Sequence, residues 1–242
     1  MGYVDRPDAA RYADRLEAAR ALASTYDAAA RERHTEAAGW HLDHHRAELP
    51  PEPPGPPLPH GSWARARQIL EAYDFPDPDL ITGIYSPSEP LDGRPMLLRA
   101  RFLMFTFWFA VRVQDVVDET RDSDRGPLRV WGFSYTTLEG HFEKGIISFA
   151  VEKELASGAV SVHIDAVSRP DRIRNPFYWL GFKLFGRRLQ LRFARTSLER
   201  IRRFVHQELE AEAAGESEPR RDTVDVEPPD AEARAELRER AD

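Results

Sequence analysis

The chain contains no cysteine, which excludes disulfides, thiolate metal sites and thiol nucleophiles. It also lacks a long apolar run. The longest, residues 102–111, is interrupted only by Thr106 and falls far short of the roughly 20 residues that a membrane-spanning helix needs. Residues 1–20 are charged throughout, unlike a secretory leader. No strong basic excess is present either. The net charge of −7 argues against nucleic acid as a partner. These absences predict a cytoplasmic protein with no transmembrane segment, and no motif calls for a cofactor.

What charge there is lies unevenly. Residues 1–60 carry about −3, residues 61–207 about +4 and residues 208–242 about −8.

The clearest pattern is alternation. Residues 128–138, 142–155 and 159–168 each alternate apolar and polar positions, the mark of half-buried strands. Ser157-Gly158 closes a hairpin between the second and third. The result is an antiparallel meander with one apolar face. Upstream, residues 96–119 are extended and so rich in aromatics that both faces are apolar, which predicts a buried strand pair. Residues 80–85 predict a short strand. A helical pattern at 63–72 stops at Tyr73-Asp74-Phe75-Pro76, since proline disfavours helix in the residue before it.

The ends differ in composition. Residues 5–48 are rich in Ala, Arg and Glu, which favour helix. Tyr12, Leu16, Ala19, Ala23, Tyr26 and Ala30 fall on one narrow stripe, so residues 1–49 are expected to form a helical arm. His41, His44 and His45 at its end have the spacing of metal ligands on a helix, but no second ligand cluster accompanies them, and no metal site is assigned. Residues 50–60 are proline-rich and predict a semi-rigid linker. The main domain is then 61–213. It ends in a long helix from about Arg187, preceded by an aromatic helix that Gly186 should stop. The long helix has a stripe of Leu191, Ala194, Leu198, Ile201, Val205 and Leu209 and an arginine-rich remainder. That remainder is a solvated face or, on a sharper reading, a peripheral contact for anionic lipid. Residues 214–242 are acidic and expected to be largely disordered.

Candidate site residues come from parity. On an unbulged strand, Glu139, His141 and Glu143 share the face of Ile147, Phe149 and Val151. Trp131, Phe133 and Tyr135 share a face on the preceding strand. Tyr135, Glu139, His141, Glu143, Phe133 and Phe149 are therefore the candidate ligand-binding set. A bulge at Gly140 would reverse the parity.

Several motifs carry a resemblance: Tyr73-Asp74-Phe75-Pro76-Asp77-Pro78, residues 135–141 (YTTLEGH), Ser168-Arg169-Pro170 and Phe185-Gly186-Arg187-Arg188. Residues 61–206 resemble an uncharacterised family of bacterial and plant proteins known as a domain of unknown function. The resemblance implies an acid after Gly145. This chain has Ile146, so no acid there enters any mechanism. The order of elements is also similar to that of the START and Bet v 1-like helix-grip domains. That likeness implies an α+β fold, in which a curved antiparallel sheet of about six strands grips a long C-terminal helix. It also implies a cavity between sheet and helix for a hydrophobic small molecule or lipid. Two alternatives stay open: a small-molecule hydrolase or isomerase using the His/Glu cluster, and a non-catalytic interaction or scaffold protein.

Overall fold

Alternation becomes pairing in the computed structural model, which describes residues 9–102, 105–171 and 176–215, the side chains of 9, 10, 102 and 176–185 excepted. Seven antiparallel strands form one sheet in the order β1-β7-β6-β5-β4-β3-β2. They are β1 (His41–Leu49), β2 (Ile81–Ile84), β3 (Pro95–Phe102), β4 (Phe105–Arg121), β5 (Leu128–Thr137), β6 (Glu143–Glu154) and β7 (Val160–Pro170). Helix α2 (Ser62–Glu71) and the 38-residue helix α3 (Pro176–Ala213) lie on the inner face. The fold is α+β, with the long C-terminal helix gripped by the sheet.

The inner face follows from register. Trp131, Phe133 and Tyr135 stand opposite Val151, Phe149 and Ile147, and Phe149 stands opposite Ile164. Directly opposed residues point to the same side, so these form one apolar wall. Against it pack Ile69 and Leu70 of α2 and Ala194, Leu198, Ile201 and Val205 of α3. The expected α3 stripe needs one correction. Leu191 is 40% exposed, and the buried ridge instead takes in Phe193 and Phe204. Gly186 does not stop the helix, since a single interior glycine costs only about 1 kcal/mol relative to alanine.

The N-terminal third departs most from expectation. Residues 41–49 are the edge strand β1, paired along its whole length with β7, and account for the seventh strand. The helix α1 spans only Ala13–Ala21. Tyr12, Leu16 and Ala19 form a second core with Leu97, Trp108 and Ala110 on the outer face of the sheet. Arg112 holds the end of α1 by donating to the carbonyls of Ala19, Arg20 and Leu22.

The proline-rich stretch is packed as well. Glu52 N–H donates to Gly158 O at 2.9 Å and Gly55 N–H to Leu155 O at 2.7 Å. Gly158 has φ +80, and a Cβ there would lie 1.8 Å from the Glu52 carbonyl oxygen, so only glycine fits. Beneath this contact Lys153 Nζ meets Glu52 Oε2 at 2.8 Å, with both side chains buried. The same carboxylate accepts the N–H groups of Leu58 and Trp63, so it is satisfied at every side and also caps the start of α2. The acidic tail expected to be disordered spans residues 214–242, of which 216–242 lie outside the described residues. So do the side chains of the aromatic segment before Gly186.

Candidate functional site

Strand β5 leaves the sheet at Thr137, and the chain turns through Gly140, whose φ is +86. Strand β6 begins at Glu143. Glu143 falls in register with Gly145 and Ile147, so its carboxyl is on the inner wall. His141 lies in the turn, its ring 4.4 Å from that of Phe109. Its Nδ1 accepts the N–H of Glu143 at 3.0 Å. Helix α3 supplies the other polar groups. Gln190 Nε2 donates to Glu143 Oε1 and to Ser168 Oγ at 3.1 Å. One turn earlier, Arg187 clasps Asp43 of β1 through two hydrogen bonds of 2.5 and 2.6 Å. On the other side, Tyr135 Oη lies 3.2 Å from Tyr73 Oη.

Burial sets the protonation of this cluster. It pushes the Glu143 carboxyl up to about 7, against the opposing pull of Gln190 and Arg187. It pushes His141 down to about 4 and Tyr135 up to about 12. Asp43 moves the other way, held down by Arg187. Between about pH 4 and about pH 7 Glu143 is therefore protonated and His141 neutral, beside the charged Arg187–Asp43 pair.

The imidazole tautomer follows from geometry. An Nδ1 that accepts from Glu143 N–H must leave the proton of the neutral ring on Nε2. To act as a base through Nδ1, His141 would have to give up its bond to the backbone. Of the two groups, only the Glu143 carboxyl is shifted toward neutrality.

Of the six residues selected by parity, Tyr135, His141 and Glu143 come together. Phe133 and Phe149 are on the same wall but deep in the core: Phe149 packs against Phe75 at 4.9 Å and Phe133 at 5.3 Å. Glu139 is exposed and turned away, its carboxylate accepting from Ala23 N–H at 3.4 Å. The turn, rather than a bulge, separates it from Glu143. Sequence reasoning did not select Gln190, Ser168, Asp43 or Arg187 for the site, although Ser168 and Arg187 stand in two of the motifs above. A neutral amide and an ion pair spanning β1 and α3 leave no local signal.

The apolar surroundings are uneven. At the deep end the wall is buried, whereas Phe105, Phe107, Phe109 and Ile147 are half-buried. Phe107 and Phe109 both contact Phe142 edge-on. Among the described residues no three His, Cys, Asp or Glu side chains form a set that could hold a metal ion. His44 instead reaches Asp165 at 3.0 Å, on the face opposite Asp43.

Solved structures with a similar course include TTHA0849 from Thermus thermophilus, with 10% identity and a TM-score of 0.45 over 69% of this chain and 97% of that one. A norcoclaurine synthase point mutant from Thalictrum flavum, in complex with a transition-state analogue, has 10% identity and a TM-score of 0.45, over 72% and 96% of the two chains. The major latex-like protein 151 of Panax ginseng has 12% identity and a TM-score of 0.36, over 62% and 95%. The fold assignment rests on the strand order and register above. No curated protein matches the chain in sequence. One family model does match, over residues 25–200, a span that includes β1 as well as the motifs at 73–78, 135–141 and 168–170; the chain belongs to the family described as Domain of unknown function (DUF1990).

Proposed function

We propose that this protein binds an apolar small molecule or lipid between the inner wall of the sheet and the stretch of α3 that carries Gln190, with Glu143 as the anchor for the ligand's polar end. The observation that carries the reading is the placement of Glu143. It is a carboxyl group at the end of an aromatic wall, pushed up to about 7 by burial, with one oxygen engaged by Gln190. Small-molecule sites are typically apolar surfaces with a few convergent polar groups. A protonated Glu143 offers a hydrogen bond without placing a charge beside an apolar ligand. The half-buried Phe107, Phe109 and Ile147 supply apolar surface still available for contact.

Proton transfer is the second reading, favoured by the same shift. A carboxyl titrating near neutrality suits general acid–base work. Glu143 is then the transferring group, with the Tyr135 hydroxyl, bonded to Tyr73, as a neutral neighbour.

Native mass spectrometry of the purified protein tests binding. The expected result is a co-purifying apolar molecule, released on denaturation and reduced in Glu143→Ala. An adduct retained in full by that variant would move the anchor elsewhere, and turnover of the bound molecule lost in Glu143→Gln would favour the second reading.

A further inference from the structure

Helix α3 turns a stripe of arginines to solvent. Arg188, Arg192, Arg195, Arg202 and Arg203 are all exposed and, with Glu199 between Arg195 and Arg202, fall on one side of the helix. Residues 187–207 contain seven arginines and one acid, Glu199, in a chain of net charge −7. The positive charge is local. Arg192 faces Asp77 and Arg195 faces Glu199, each at 3.9 Å, the outer limit of an ion pair and weak in water. Among the described residues no acid pairs with Arg188, Arg202 or Arg203. Leu191 stands in the same stripe, one turn from Arg188 and one from Arg195.

The helix is a ridge between two hollows. One, of about 450 Å³, is lined by His44, His45, Arg46, Arg195 and Arg202. The other, of about 790 Å³, is lined by Arg202, Arg203 and His206, with Asp77 and Glu210 among its walls.

We propose that this face of α3 docks on an anionic lipid surface, the arginines meeting lipid phosphates and Leu191 entering the headgroup boundary. Three features favour a bilayer over a single bound anion or an acidic protein. From Arg188 to Arg203 the stripe runs roughly 22 Å along the helix, several headgroups wide. Its charges are spread along the ridge, as a flat charged surface requires, and do not converge on one point. One turn in from its N-terminal end it carries an exposed leucine, which an acidic peptide would leave in water and a lipid boundary would bury. A basic stripe and an inserted apolar side chain are the two signals that reversible peripheral binding needs. No described helix is long and apolar enough to cross a membrane, so the contact is with the surface. The proposal holds whatever the inner wall binds.

Co-sedimentation of the full chain with vesicles tests it. The chain should bind vesicles of phosphatidylcholine with about 30% phosphatidylglycerol, ignore pure phosphatidylcholine, and be released by about 0.5 M salt. R188E/R195E/R202E should weaken binding at least roughly tenfold, while R188K/R195K/R202K keeps most of it. The chain has no cysteine, so Leu191→Cys takes a single environment-sensitive dye, whose emission should shift to the blue only with anionic vesicles. Absence of binding to anionic vesicles overturns the proposal, as does full binding by the glutamate variant. A dye that stays in water while the chain binds the soluble polyanion heparin also overturns it, in favour of an acidic macromolecule.

Discussion

The imidazole of His141 accepts a hydrogen bond from the backbone of Glu143, Nδ1 to N at 3.0 Å, two residues along the same turn. This bond fixes the ring as the Nε2–H tautomer and sets the start of β6. It also makes His141 a structural support for Glu143, with any proton chemistry left to the carboxyl. His141→Ala strips the Glu143 N–H of its acceptor and should destabilise by about 1–3 kcal/mol. His141→Asn offers an amide oxygen in its place and should recover most of that loss. Equal unfolding midpoints for the alanine variant and the wild type would show the bond to be dispensable.

The two titrating groups predict opposite pH limbs. Glu143 titrates at about 7 in the fold against 4.5 for the free group. Its favourable contribution is full below about pH 4.5 and is lost as pH rises through about 7. Glu143→Gln should flatten that loss. His141, lowered from 6.5 to about 4, acts in reverse: its contribution is full above about pH 6.5 and is lost as pH falls through about 4. His141→Asn should flatten the acid limb. Thermal unfolding of both variants against pH checks each sign. A Glu143→Gln profile parallel to the wild type would mean that the carboxyl is solvated.

Lys153 and Glu52 are both buried and paired at 2.8 Å. Removing one partner of such a pair leaves an uncompensated charge, so Lys153→Met should cost about 3–5 kcal/mol. Adding Glu52→Gln should restore part of it, because the amide oxygen can still accept from Leu58 or Trp63. A double variant less stable than Lys153→Met by the full cost of Glu52→Gln alone would show that the two sites do not couple.

Much of the sheet was legible because its strands alternate. The β5–β7 meander, its inner face and the hairpin at Ser157-Gly158 all follow from period-two patterning, and Ile201 and Leu198 were placed correctly from helical spacing. Strand β1 was not legible for a physical reason. Its inward positions include His41, Asp43 and His45, so the apolar alternation that marks a half-buried strand is absent. Pairing with β7 overrides the helix-favouring composition of the preceding residues. The site was half legible. Parity brought Tyr135 and Glu143 together, but the left-handed Gly140 turned Glu139 to the other side. Gln190 reaches Glu143 only because α3 folds back across the sheet.

The outer core bears on truncation. Tyr12, Leu16 and Ala19 cover Trp108, Leu97 and Ala110, so removing residues 1–59 would expose that face and delete β1. Such a truncation should be insoluble or lack a cooperative transition. Residues 216–242 are charged, proline-containing and free of aromatics, a composition that cannot bury a core, so removing them should leave the midpoint unchanged. A cooperative, soluble chain without residues 1–59 would contradict the packing of α1.

Helix α3 holds the grip through Ile201, which is fully buried against the inner wall. Ile201→Ala should lower stability by about 2–5 kcal/mol, measured by denaturant unfolding. Leu191→Ala, on the same helix but exposed, should change it by under about 0.5 kcal/mol. Similar losses at both positions would contradict the assignment of the buried ridge.

The most direct test of the account is an NMR titration of the full chain with N-phenyl-1-naphthylamine, a neutral apolar probe with one hydrogen-bond donor. Saturable binding is predicted, with the largest shifts at Phe109, Tyr135, Glu143 and Ile147 and weaker binding in Glu143→Ala. Shifts confined to the outer face of the sheet, or no saturable binding at all, would contradict a ligand site on the inner wall.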